Sequence, residues 1–155
     1  MSLFKYIVTA ILCLQLYHNC SGVSQTPPHS IRLISEVSTI QANAPFWVGI
    51  EVNLPKGWYT YWKNPGHAGL APHTIWASPE NVYAGPIQYP VPQKIDTPPF
   101  ISFGYYKQVI FLQQLRVSSA HESRITLSGT LNWLICKDVC IPITSAIETK
   151  VNIGE

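Results

Sequence analysis

An antiparallel β-sandwich is the fold class this sequence predicts, and three observations predict it. Thirteen prolines and nine glycines interrupt the 155 residues, separating short runs rich in Val, Ile, Thr and aromatic side chains. Several of those runs alternate apolar and polar residues with a period of two. No stretch carries an amphipathic helical period of useful length. The chain is long enough for one domain with its own core.

The elements follow in order. Residues 31–40 read as a first strand and 41–45 as a turn. In 46–54, Phe46, Val48, Ile50, Val52 and Leu54 share one parity while Glu51 and Asn53 share the other, the mark of a half-buried strand. Pro55-Lys56-Gly57 is a turn, 57–63 is a short aromatic strand, and Asn64-Pro65-Gly66 turns again. A loop leads to another short strand over 73–77. Residues 78–103 are proline-rich and least regular, with one or two short edge strands within 82–89 and a loop over 96–104. A long strand is expected over 105–117.

Residues 124–136 alternate cleanly, with Ile125, Leu127, Leu131, Trp133 and Ile135 on one face and Leu134 and Cys136 on the other. After a turn, Ile141, Ile143, Ile147, Val151 and Ile153 share a face, and Cys140, Thr144 and Glu148 lie opposite. About eight strands with turns between them fit an immunoglobulin-like sandwich. A closed barrel is the alternative.

The amino terminus differs in kind. One lysine precedes an apolar run over residues 6–16, and small polar residues follow, which is the order of a secretory signal peptide. The run is too short to span a bilayer well, so an uncleaved anchor is the weaker alternative. Residues 1–24 are assigned to the signal and 25–155 to the sandwich domain, with cleavage between Cys20 and Gln25. Lipidation at Cys20 is disfavoured because Tyr17, His18 and Asn19 precede it, where a bacterial lipobox carries small residues. Export leaves only Cys136 and Cys140 of the four cysteines, in an oxidising compartment where a pair normally bonds.

Charged residues make up 12% of the chain, the net charge is +2, and no basic run occurs, which excludes nucleic acid as a partner. Chemistry concentrates instead in Leu134-Ile-Cys-Lys-Asp-Val-Cys-Ile-Pro142. If both flanking strands keep their alternation, Cys136 and Cys140 point away from the core. They would sit at a hairpin end, close enough to pair, on a surface at most lightly covered. Chain entropy credits a disulfide closing so short a loop with only about 2 kcal/mol, and the hairpin already closes it. Lys137 favours a thiolate and Asp138 disfavours it. A redox-active dithiol, a structural disulfide and a metal site all remain open on these residues. His67 and His73 are the candidate co-ligands for copper or zinc, although loop histidines are more often simply exposed. The aromatic run Trp58 to Trp62 is expected to pack the sheet rather than to stack on a ligand. Neither a nucleophile elbow nor a phosphate loop occurs.

Pro55-Lys-Gly-Trp-Tyr-Thr-Tyr-Trp-Lys-Asn-Pro-Gly66, Gly69-Leu70, Trp76, Gly85-Pro86, Tyr89-Pro90, Phe103-Gly-Tyr105 and Trp133-Leu-Ile-Cys-Lys-Asp-Val-Cys-Ile-Pro142 form a specific combination. It resembles the N-terminal periplasmic domain of DsbD/ScsB-type membrane thiol–disulfide reductases, over nearly all of the chain after the signal. The resemblance implies an immunoglobulin-like sandwich and a thiol–disulfide oxidoreductase component without a cofactor or metal. Its catalytic pair would be Cys136 and Cys140, with Cys140 forming the mixed disulfide and Cys136 resolving it. It also implies a cap loop over the pair, matching Asp96 to Tyr105, with Phe100 or Phe103 as shield and Tyr105 nearby. His67 stands where relatives often carry an acid and is assigned no role. The implied partners are thioredoxin-like periplasmic proteins and a membrane-embedded reductase domain. That domain is expected on another polypeptide, since neither it nor a C-x-x-C pair follows in these residues. A non-catalytic binding module with a structural disulfide is the competing function.

Overall fold

The computed structural model describes residues 26–77, 81–118 and 123–154. The signal segment, its cleavage site, Cys13 and Cys20 lie outside the described residues. Every helix or strand element in the described residues is a strand. In order these are β1 (Ser30–Ser35), β2 (Thr39–Gln41), β3 (Pro45–Asn53), β4 (Tyr59–Gly66), β5 (His73–Trp76) and β6 (Val82–Ala84). They continue as β7 (Gln93–Thr97), β8 (Phe100–Tyr106), β9 (Gln108–Val117), β10 (Arg124–Cys136) and β11 (Cys140–Gly154).

Two sheets form. One has four strands in the order β1-β3-β9-β6. The other has seven, in the order β2-β11-β10-β4-β8-β7, with β5 also paired to β10. All pairings are antiparallel except the short one between β2 and β11. This is the curled, all-strand, immunoglobulin-like sandwich that the alternation predicts.

The alternating residues build the main core. Val48, Ile50 and Val52 of β3 and Phe111 and Leu115 of β9 are buried against Leu127, Leu131 and Ile135 of β10 and Ile147 and Val151 of β11. Each buried aliphatic or aromatic side chain of this size is worth about 1.5–3 kcal/mol relative to exposure.

Three boundaries depart from the expectation. Residues 31–40 are two strands in different sheets, because β1 pairs with β3 and β2 with β11. The chain crosses between sheets at Glu36–Ser38, where Glu36 holds Trp47 by accepting its N–H at 2.7 Å. Residues 96–104 belong largely to a hairpin, β7 and β8 around Pro98–Pro99, rather than a loop. Residues 105–117 bend at Lys107, whose φ is 65°, so β8 and β9 part into different sheets. Alternation reports which way a side chain faces, and β1, β2 and β9 each keep it locally, whereas 96–104 reads as loop because of Pro98 and Pro99.

Candidate functional site

β10 and β11 form one long antiparallel hairpin, and the last rung of its ladder sets Cys136 opposite Cys140. The two are joined by a disulfide, with Cα atoms 4.1 Å apart. Parity explains the side on which it lies. Ile135 belongs to the main core, whereas Leu134 and Cys136 belong to a second, smaller cluster on the opposite face.

The expectation of a lightly covered pair needs correction at one of its two members. Cys136 is 0% exposed, while Cys140 is exposed. The cause lies in the strands that continue the sheet beyond β10. Cys136 pairs with Tyr59, and β4 pairs with β8, which pairs with β7. Tyr59, Tyr61 and Ile95 from those strands are buried on Cys136, with Tyr106 and Leu134 at the margin. Tyr59 meets the rings of Tyr61 and Tyr106 edge-on, at centroid distances of 5.5 and 5.7 Å.

Glycines make this close approach possible. A Cβ on Gly104 would overlap the Thr60 carbonyl oxygen and press on Ile95, so β8 can lie this near to β4 only without one. Gly69, at φ +109°, lays its backbone on the Tyr61 ring, and a Cβ there would overlap the ring. The segment leading to Gly69 is tied to β8. The Ile101 N–H donates to His67 Nδ1 at 3.1 Å, and the Ser102 hydroxyl to the Ala68 carbonyl at 3.4 Å.

Tyr61 is thereby held with its hydroxyl 3.4 Å from Cys140 Sγ. A disulfide sulfur carries no hydrogen, so the hydroxyl donates. The neighbouring phenols stay protonated at neutral pH: burial, aided by Tyr61, pushes Tyr59 up to about 12, and burial raises Tyr106 as well. The groups surrounding the buried sulfur are therefore apolar or neutral. Lys137 and Asp138 stand exposed on the connecting turn.

The other candidate residues distribute as follows. Asp96 is exposed and pairs with Lys94 at 3.0 Å. Phe100 is half exposed near the tip of the β7–β8 hairpin, and Phe103 meets Trp62 edge-on at 6.4 Å. Tyr105 turns into the main core against Phe111 and donates to the Pro90 carbonyl at 2.7 Å. The hairpin does reach Cys136, through Ile95 and Tyr106 instead of these aromatics. His67 is engaged by Ile101 and His73 is exposed on β5. Among the described residues, no group of three or more His, Cys, Asp or Glu is placed to hold a metal.

Tyr59, Tyr61, Gly69 and Ile95 are the site residues that sequence reasoning missed. Tyr59 and Tyr61 had a signal, because they share a parity opposite to Thr60 and Trp62. Ile95 had none, since its place depends on how β7 and β8 add to the sheet.

The sequence matches the family model described as "Thiol:disulfide interchange protein DsbD, N-terminal" over residues 32–152. Among solved structures, the N-terminal periplasmic domain of ScsB from Proteus mirabilis is similar at 26% identity with a TM-score of 0.62. The likeness covers 80% of this chain and 48% of that one, so this chain spans about half the length of that relative. The reduced N-terminal domain of DsbD from Neisseria meningitidis matches at 12% identity with a TM-score of 0.48, over 79% of this chain and 85% of that one. No curated protein sequence matches. The family match over residues 32–152 takes in both cysteines, the turn between them and the strands that cover Cys136, and the chain belongs to the DsbD N-terminal family of thiol:disulfide interchange domains.

Proposed function

We propose that this domain relays reducing equivalents between a membrane-embedded reductase domain and thioredoxin-like proteins of the periplasm, through Cys136 and Cys140. The observation that carries the proposal is the asymmetry of the pair: one sulfur wholly buried, the other exposed and facing a phenol hydroxyl. The ScsB relative is itself described as a periplasmic domain, which supports that compartment for this one.

The asymmetry divides the labour. In the reduced domain, the exposed Cys140 thiolate attacks a sulfur of the partner's disulfide, forming a mixed disulfide and releasing the partner's other sulfur as a thiolate. The Tyr61 hydroxyl donates to the anionic Cys140 sulfur and so favours the thiolate. Apolar burial holds Cys136 as the thiol until it is needed. Cys136 then loses its proton and attacks Cys140 Sγ, the mixed disulfide breaks, and the partner departs as a dithiol. Two electrons and two protons pass to the partner, the domain is left oxidised, and a reductase must restore it. The β7–β8 hairpin covers Cys136 by way of Ile95, and its exposed tip from Asp96 to Phe100 is the part that a partner would displace.

The midpoint potential of the pair is the primary test. A value far below about −300 mV would mark an inert structural bond, the property of a non-catalytic binding module. The assignment of roles is checked by trapping: Cys136→Ala should accumulate a mixed disulfide with a thioredoxin-like partner, and Cys140→Ala should not. The reverse pattern would exchange the roles.

A further inference from the structure

Two residues along from the disulfide, the outer face of the β10–β11 ladder opens into a groove of about 400 Å³. Its floor is formed by two rungs, Leu134 with Pro142 and Asn132 with Thr144. Its wall is the segment from Leu70 to His73, which continues directly from Gly69 on the Tyr61 ring. Wall and reactive sulfur are thus set by the same short stretch of chain.

The lining has a definite character. It contains neither a carboxylate nor a lysine or arginine. Thr144 Oγ1 donates to Asn132 Oδ1 at 2.7 Å, so the polar groups of the floor are spent partly on each other. Leu70 is 67% exposed, a large apolar side chain turned to solvent beside the groove.

Exchange chemistry limits what can lie there. A partner's sulfur must touch Cys140 Sγ, so the residues flanking the partner's cysteine necessarily run over the surrounding surface. An extended chain rises about 3.3 Å per residue, as do the rungs beneath it, so the second residue from that cysteine falls about 7 Å away, where the groove begins. We infer that the groove receives the uncharged, apolar residues flanking the reacting cysteine of the thiol partner. The inference rests on the exchange function proposed above and adds a specificity element to it.

The test uses the reduced Cys136→Ala protein and two short single-cysteine peptides, each blocked as a mixed disulfide with thionitrobenzoate, one with leucine at the second residue on each side of the cysteine, the other with serine. The Cys140 thiolate attacks the peptide sulfur, the mixed disulfide with the peptide forms, and thionitrobenzoate leaves as a thiolate. The rate of mixed-disulfide formation is followed by mass. Burial of part of a leucine side chain favours the leucine peptide about tenfold. In Leu70→Asp the ratio between the peptides falls toward one, each variant serving as its own control. Equal rates with Leu70 in place overturn the inference and leave the exchange function standing, as does a preference that survives Leu70→Asp. Failure of both peptides to react with Cys140, and of dithiothreitol to open the disulfide of the unsubstituted protein, overturns the exchange function, and the groove assignment with it.

Discussion

The two faces of β10 carry two cores of different kinds. Its inner face, with Leu127, Leu131 and Ile135, joins the contiguous core between the sheets. Its outer face ends in a small cluster, Cys136 with Tyr59, Tyr61 and Ile95, roofed by one hairpin. The first is large, mostly aliphatic and lies between the two sheets. The second is half aromatic, is far smaller, and contains the only disulfide among the described residues. One strand can therefore serve stability with one parity and chemistry with the other. Loosening the second cluster need not unfold the first.

The largest effect that would sharpen this contrast is on the inner face. Leu131→Ala should cost about 2–5 kcal/mol in denaturant unfolding, by lost transfer free energy and a residual cavity. It should leave the rate of disulfide reduction in the folded protein nearly unchanged. Ile95→Ala should cost less, about 2 kcal/mol, since a roof at the margin can relax. It should speed reduction by dithiothreitol, because it uncovers Cys136. If Leu131→Ala speeds reduction as much as Ile95→Ala, the two faces behave as one unit and the comparison fails.

Smaller effects bear on the outer face alone. Tyr61→Phe should change stability by about 1 kcal/mol or less. In the reduced protein it should raise the Cys140 thiol pKa, measured by thiolate absorbance, and slow exchange at neutral pH. An unchanged pKa would show that the hydroxyl does nothing for the thiolate. The smallest effect is alkaline. Tyr59 titrates near the ordinary value of about 10 when unfolded, and at about 12 when folded. Its folded pKa is the raised one, so its contribution to stability is complete below pH 10 and is lost as pH climbs toward 12. Tyr59→Phe should flatten that decline in an unfolding series, and a decline of the same slope would assign it to other groups.

Much of the fold and part of the site were legible in the sequence. The alternation in β3 and β10 reports burial directly, because a strand buries one face and successive side chains point opposite ways. The same parity turned Cys136 away from Ile135 before any contact was known. The division of residues 31–40 between two sheets was not legible, since neither half breaks the alternation. Nor was the β7–β8 hairpin, whose prolines read as loop because a proline cannot donate to a ladder.

The sequence by itself determined an all-β chain, the hairpin that brings Cys136 to Cys140, and the face on which they stand. Those are local matters of period and turn, written into neighbouring residues. Only the tertiary structure decided that one cysteine is sealed and the other open. That depends on β4, β8 and β7 extending the sheet past β10, so that Tyr61 and Ile95, 79 and 45 residues before Cys140, close over one sulfur and leave its partner in reach. Burial is a property of what packs on a residue, and packing between distant strands leaves no period in the chain.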